Sequence, residues 1–303
     1  VYAFSTQEEV LTQSIFPAFE EAWRVRTGQN LTIEGVFGPS ETLAGQINLG
    51  APADVALFSN AQNMTHLKVG RRVCVDNQPV AVSHTPMVIV TRPGNPWAIS
   101  DFFDLAQPGL QLLHADPRTS GAGQWAVLAE YGSALSQADD QQVAQTQLEA
   151  IWHNVRLLGA SARATLTLFE LGAGDAFVTY EHDALLAQER GVLLEIVVPP
   201  RTIVAQHIAV IVDDNVTPAE LTVAQAFVEY LLSDAGQQAF SYYHLRPADP
   251  QGEQFPEILQ PFTVEDLGDW SRAYIQVLET IWQTEIEPHL DLEPTPTMLG
   301  TGE

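Results

Sequence analysis

Apolar positions along the first sixty residues change their period at short intervals. Tyr2 to Ser5 reads as a short strand, and Glu8 to Arg26 then carries Val10, Leu11, Ile15, Phe16, Phe19 and Trp23 at the spacing of one helix face. Leu31 to Phe37 returns to a strand, Glu41 to Asn48 to a helix and Asp54 to Phe58 to a strand. Pro86 to Thr91 predicts another strand, closed by the breaker Arg92-Pro-Gly-Asn-Pro96. Leu110 to His114 predicts the next, leading through the turn Asp116–Gly123 into a helix along Trp125, Leu128 and Tyr131. Asp175 to Tyr180 predicts a buried strand and Glu181 to Glu189 a helix. Two β runs follow, Leu194 to Pro200 and Ile203 to Val212, parted by Pro199-Pro200. Thr217 to Ser233 and Trp270 to Glu285 are amphipathic helices. Repeated βαβ alternation predicts an α/β fold whose mostly parallel sheet is covered on both faces, with ligands beyond the carboxyl ends of the strands.

A chain of 303 residues with neither internal repeat nor long linker has room for two domains that it enters more than once. The crossings are expected near Ser83 and near Pro199 to Ala205, where they make a hinge. Lobe one is then residues 1–82 plus 205–290, with the C-terminal helices packed back on it, and lobe two is residues 83–204. The Pro-, Thr- and Gly-rich tail 291–303 is expected to be disordered.

Charge narrows the partners. A formal net charge of −25 with a single lysine, Lys68, argues against nucleic acid and anionic membrane surfaces, which reward basic patches. Cys74 is the only cysteine and reads as a buried free thiol, so no disulfide and no cysteine zinc site is expected. A strand that begins at Tyr2 is what an exported chain with its leader removed looks like, and Asn30, Asn63 and Asn215 lie in glycosylation sequons.

Four turns share one physical logic, each placing small and hydroxyl residues before a helix: Ser5-Thr6, Pro39-Ser40, Thr119-Ser120-Gly121-Ala122 and Ser161-Ala162. Ser40 reads as a helix N-cap. Free N–H groups and hydroxyls at helix starts attract anions, and each start carries roughly half a positive charge. In a doubly wound sheet these turns lie on one edge, so several could hold a dianion without a lysine. A site made only of donors also leaves the proton of HPO4 without an acceptor.

These residues carry a resemblance to the periplasmic sulfate- and thiosulfate-binding proteins of ABC transporters, with molybdate binders as close relatives. Pro39-Ser40 through Ile47-Asn48 to Ala53-Asp54-Val55 is similar to the family's G-S-G-K-Q through V-I-N to A-D-V. Pro117-Arg-Thr-Ser-Gly-Ala-Gly-Gln-Trp125 resembles its P-K-S-S-G-G-A-R-W, and Gly172-Ala-Gly-Asp175 through Tyr180-Glu-His-Asp183 stands where it has G-I-G-D followed by W-E-N-E. His244-Leu-Arg-Pro-Ala-Asp249 resembles its F-Y-R-P-R-D, and the stretch Phe262 to Trp270 its F-T-I-D-E-V-F-G-G-W.

The resemblance implies a two-lobed type II periplasmic-binding-protein-like fold, with two mixed sheets flanked by helices and a two-strand hinge. It implies a periplasmic or extracellular receptor that captures a tetrahedral oxyanion between its lobes and delivers it to an ABC permease, working as a monomer without cofactor, metal or chemistry. Ser40, Ser120, Gly121, Ala122, Ala162 and Tyr180 are the ligand contacts implied, with Thr6 beside them. Tyr180 stands in place of a tryptophan and points toward a larger oxyanion such as molybdate or tungstate. Glu8-Glu9 stands where relatives have an Arg-Glu pair, which predicts one cation fewer and an added carboxylate at the cleft.

Two rival readings attach to particular residues. Tyr242-Tyr243 is an adjacent phenol pair of the kind ferric-binding proteins of this fold use, though the amphipathic segment around it also suits packing. Ser120 with Glu181-His182-Asp183 invites a hydrolase, against which stand the missing Gly-x-Ser-x-Gly elbow and the reading of His182 as a surface histidine.

Overall fold

The chain is described by a computed structural model over residues 1–249 and 255–293. Its strands are β1 (Tyr2–Phe4), β2 (Val36–Gly38), β3 (Val55–Phe58), β4 (Val80–Thr91), β5 (Leu112–Ala115), β6 (Val155–Gly159), β7 (Ala176–Tyr180), β8 (Glu195–Val197), β9 (Arg201–Ile211), β10 (Arg246–Pro247) and β11 (Gln260–Phe262). They follow the order β2-β1-β3-β9-β4-β7-β5-β6, with β8 and β10 on β4 and β11 on β9. Both α/β half-sheets are mixed: β1 runs parallel to β2 and β3, β5 parallel to β6 and β7, and β9 antiparallel to β3 and β4.

The halves share β4. Val80 to Pro86 pairs with β9, whereas Met87 to Thr91 pairs with β7 on one side and Ile89 to Thr91 with β8 on the other. Hydrogen bonding is therefore continuous from one half to the other, and a register shift between Ala81 and Ser83 interrupts the ladder near the expected crossing. Met87 to Val90 is fully buried and reads as an unbroken apolar run, as a strand covered on both faces should. The first six residues of β4 escape the apolar pattern because Ser83, His84 and Thr85 are polar. Two of them, Ser83 and Thr85, are nonetheless fully buried.

The first long helix runs as predicted but not regularly. Leu11–Ile15 forms a π-turn just before the α segment Phe16–Thr27. Pro17 has no N–H to give to the preceding turn, and the wider turn absorbs the missing bond. Gly28 ends the helix at φ 74°, its N–H bonded to the Arg24 carbonyl at 2.8 Å. The expected strand Leu31 to Phe37 shrinks to Val36–Gly38, because β2 is an edge strand whose one neighbour, β1, offers three residues of partner.

Helices Pro218–Leu231 and Asp234–Tyr242 pack with Phe16, Phe19 and Trp23 in the core of the first half. The C-terminal helical stretch Trp270–Ile286 does not join them. Val277, Leu278, Trp282 and Ile286 lie in the same apolar cluster as Trp125, Leu128, Leu148 and Trp152, so this stretch covers the helices Gly121–Ala138 and Gln141–Trp152 of the middle segment. The stretch expected to pack back on lobe one lies chiefly against the middle segment and touches the first half where Tyr274 meets His66 edge-on; Gly121–Ala138 is buried over most of its length and takes it as a second cover. Within the tail, Glu293 N–H donates to the Arg156 carbonyl at 2.8 Å, and the expectation for the rest of 291–303 lies outside the described residues.

Candidate functional site

Parallel strands deliver their carboxyl ends to one edge, and six of them end around a single hollow. Ser5 and Thr6 follow β1, Pro39 and Ser40 follow β2, and Ser59 follows β3. From the other half come Ser120, Gly121 and Ala122 after β5, Ser161 and Ala162 after β6, and Tyr180 at the last position of β7. Phe4 completes a lining that contains no charged side chain. Every residue expected at the site, Thr6, Ser40, Ser120, Gly121, Ala122, Ala162 and Tyr180, lines this one hollow.

Ser40 is placed there in a different role from the N-cap expected of it. Pro39, extended at φ −63° and ψ 138°, takes the cap position, and Ser40 is the first residue of the helix Ser40–Asn48. Its hydroxyl accepts the Ser59 N–H at 3.1 Å and lies 2.9 Å from the Ser59 hydroxyl. Ser59 was missed by the reading of turns before helices, yet it follows the buried strand Val55–Phe58 and obeys the strand-end rule that found the others. Its carbonyl accepts the Trp125 indole N–H across the two halves at 2.7 Å.

The second half supplies helix starts. Ser120 caps the helix Gly121–Ala138 by position but makes no capping bond with its side chain, and the N–H groups of Gly121 and Ala122 have no partner in the helix's own ladder. A side chain at Gly121 is sterically barred, since an added Cβ would lie 1.8 Å from the Ser59 oxygen. Ser161 is an ordinary cap, its hydroxyl accepting the Ala164 N–H at 3.1 Å, which leaves Ala162 as the first residue of the helix Ala162–Glu170 with a free N–H. Tyr180 is 1 % exposed and its hydroxyl finds no protein partner, while burial pushes the phenol well above its ordinary pKa and keeps it a proton donor. A buried donor without an acceptor is costly, and here it faces a hollow made of donors.

Below this lining sits a polar layer. The Asn63 amide donates to Glu41 at 3.0 Å and to Asn60 at 3.1 Å, and the Asn60 amide donates to Gln124 at 2.9 Å, linking the halves. Burial pushes the Glu41 carboxyl up to about 7, against the Asn63 bond that draws it down. Asn63 is fully buried in this layer and so is closed to glycosylation in the folded chain.

Charges occupy the rim. Arg163, next to Ala162, forks onto Glu9 with both bonds at 2.6 Å, and Arg190 reaches the same carboxylate at 3.3 Å. Burial would raise the Glu9 carboxyl, but the Arg163 bonds outweigh it and hold the pKa below its ordinary value. Glu9 is thus paired with arginines of the opposite half, while Glu8, which stands in the place of the relatives' arginine and carries the expected added carboxylate, is not among the residues lining the hollow. Arg246 forks onto Glu181 at 3.0 Å and 3.0 Å across the same divide.

The hydrolase motif disperses on a single turn of helix. Glu181 serves Arg246, and Asp183, which burial raises to about 6, lies in the field of Arg163. His182 is fully buried, not a surface residue, with Nε2 3.1 Å from the Thr6 hydroxyl and Nδ1 3.3 Å from that of Thr85. Tyr242 is 78 % exposed and Tyr243 bonds Gln13, so the phenol pair lies outside the hollow. Cys74 is exposed rather than buried, and Asp213 is the first cause raising its thiol pKa. Among the described residues no group of acidic, histidine or cysteine side chains could hold a metal, and no helix is long and apolar enough to cross a membrane.

Comparison with known proteins reaches the same fold independently. The family described as bacterial extracellular solute-binding protein matches residues 1–246. The sulfate-binding protein of Escherichia coli is 33 % identical over 274 residues, covering 84 % of this chain and 82 % of that protein. The thiosulfate-binding protein of Pseudomonas aeruginosa is 31 % identical, covering 84 % and 81 %. Among solved structures, the sulfate-binding protein SubI of Mycobacterium tuberculosis superposes with a TM-score of 0.83 at 25 % identity, over 91 % of this chain and 97 % of that one.

Proposed function

Because the chain belongs to the bacterial extracellular solute-binding protein family, we propose that it captures a fully deprotonated tetrahedral oxyanion, of the sulfate and thiosulfate class, outside the cytoplasm and hands it to an ABC permease. The observation that carries this reading is the hollow itself: hydroxyls, helix-start N–H groups and an unpartnered phenol converge on it, and no carboxylate or cation lines it. Such a lining gives hydrogen bonds to an acceptor with no proton of its own and gives a protonated anion nowhere to place one. Three helix starts, at roughly half a charge each, supply the counter-charge.

Thr6 and Ser40 would serve the anion from the first half, and Ser120, Gly121, Ala122, Ala162 and Tyr180 from the second. Residues 1–82 and 83–204 would move as two lobes on the shared strands β4 and β9, with the Trp270–Ile286 stretch travelling with the second. The protein would act as a monomer and leave its ligand chemically unchanged: Ser120 makes no bond to an imidazole among the described residues, so nothing there draws off its proton.

Calorimetric titration with sulfate, thiosulfate, molybdate, tungstate and phosphate tests the reading. Heat with at least one of the first four and none with phosphate is expected. Silence with all five, together with heat from ferric citrate or a divalent metal, would overturn it.

A further inference from the structure

Thr85 on β4, His182 and Thr6 form a row of hydrogen bonds that runs from the shared strand to the wall of the hollow. Thr85 Oγ1 accepts the backbone N–H of His182 at 3.4 Å and lies 3.3 Å from His182 Nδ1, to which its own proton is available. At the other side of the ring, Nε2 lies 3.1 Å from the Thr6 hydroxyl oxygen. Burial holds the ring's pKa down at about 3, so the imidazole is neutral and carries a single proton.

Resting on the oxyanion reading above, we propose that His182 is a positioning residue: its Nε2–H donates to Thr6 Oγ1, which commits the Thr6 hydroxyl proton to the anion in the hollow. The row is then polarised in one sense, Thr85 to His182 to Thr6 to ligand, and each bond strengthens the next. With the opposite tautomer the Thr6 hydroxyl would spend its proton on Nε2 and turn only lone pairs toward the anion. Hydrogen bonding on the far side of the ring therefore decides whether a wall of the site attracts or repels its ligand. Nothing else about the ring competes for the role: the neighbouring His207 is turned to Ser83, with Nδ1 and Oγ 3.0 Å apart.

The experiment is nitrogen-15 NMR of the histidine rings in sulfate-saturated protein, combined with sulfate affinities of T6V, His182→Gln, His182→Asn and the double variant T6V/H182N. The tautomer expected for His182 has its proton on Nε2. T6V should lose about tenfold or more in affinity, the size of a hydrogen bond to a charged acceptor. Glutamine, whose amide nitrogen can occupy the Nε2 position, should stay within about threefold of wild type, and asparagine, which cannot reach Thr6, should lose about threefold to tenfold. The double variant should be no weaker than T6V alone. A proton on Nδ1 in the wild-type protein, or losses that multiply in the double variant, would overturn the role of His182 while leaving the oxyanion reading intact. Wild-type protein that binds no oxyanion at all would overturn both, and the titration separates the two failures.

Discussion

Ala162 and Arg163 are adjacent in the chain, yet they belong to two regions that treat charge in different ways. Around Ala162 the hollow holds only neutral donors, whereas around Arg163 every described arginine bond to the rim ends on a carboxylate of the chain's other half. The difference separates affinity from closure. Neutral dipoles cost less to strip of hydration than a formal charge would, and the bound anion gives these otherwise unsatisfied donors their acceptor. Ion pairs at the rim join the halves but are partly exposed, so salt weakens them and leaves the hollow nearly untouched.

The strongest way to break that separation is Gly121→Ala. Its Cβ would collide with Ser59, the contact through which the halves meet over the ligand, and the collision involves a short side chain on a fixed strand end. Overpacking of this kind costs about 1–3 kcal/mol, so sulfate affinity should fall roughly 5- to 150-fold, with small-angle scattering showing a more open protein. Unchanged affinity would mean that the halves do not close at this contact.

Tyr180→Phe comes next and separates binding from folding. Loss of the buried phenol donor should weaken sulfate binding by about 1.5–3 kcal/mol, while the melting temperature of the empty protein should hold or rise because an unpartnered hydroxyl is gone. A fall in both would place Tyr180 among structural groups.

Glu41→Gln sharpens the comparison from beneath. The wild-type carboxyl has its folded pKa raised from 4.5 to about 7, so the stability it supports is present below pH 4.5 and lost as pH rises through about 7. The glutamine variant should match wild type in thermal melts near pH 4.5 and exceed it at pH 8. Sulfate affinity of the wild type should fall between pH 6 and pH 8 as this carboxylate ionises beside the helix start, and the variant should show a flatter profile.

Glu9→Gln carries the smallest effect and tests the rim. The Glu9 pKa is depressed below 4.5, so its ion pair contributes fully above pH 4.5 and is lost as pH falls through the lower folded value. Affinity at neutral pH should drop about threefold at low salt, and the gap to wild type should close in high salt. A gap that persists in high salt would show that Glu9 acts on the hollow itself.

Much of this site was legible from the sequence because strand ends and helix starts are local signals. The turn Asp116–Gly123 announces a helix N-terminus by its own residues, whereas Tyr180, though it ends an apolar run, was singled out only by the resemblance to the binding-protein family. Ser59 was missed because Ser59-Asn60 stands before no helix that begins at once, so the cap pattern gave no sign. The pairing of Glu9 was hidden for a related reason: its partner Arg163 lies more than 150 positions away, where no local pattern announces it. His182 looked like a surface residue between two acids, and only the packing of β4 and the first turn against it shows a buried ring with a hydroxyl on each side.

Alternating apolar periods determined the α/β fold, and small hydroxyl residues after strands determined which edge carries the hollow, because both depend on backbone geometry within a few residues. Tertiary structure alone decided that the C-terminal stretch covers the middle segment, that Gly121 seats against Ser59, and that Glu9 meets Arg163. Those outcomes depend on which buried surfaces and which charges come together from distant parts of the chain. No local period of the sequence encodes that distance.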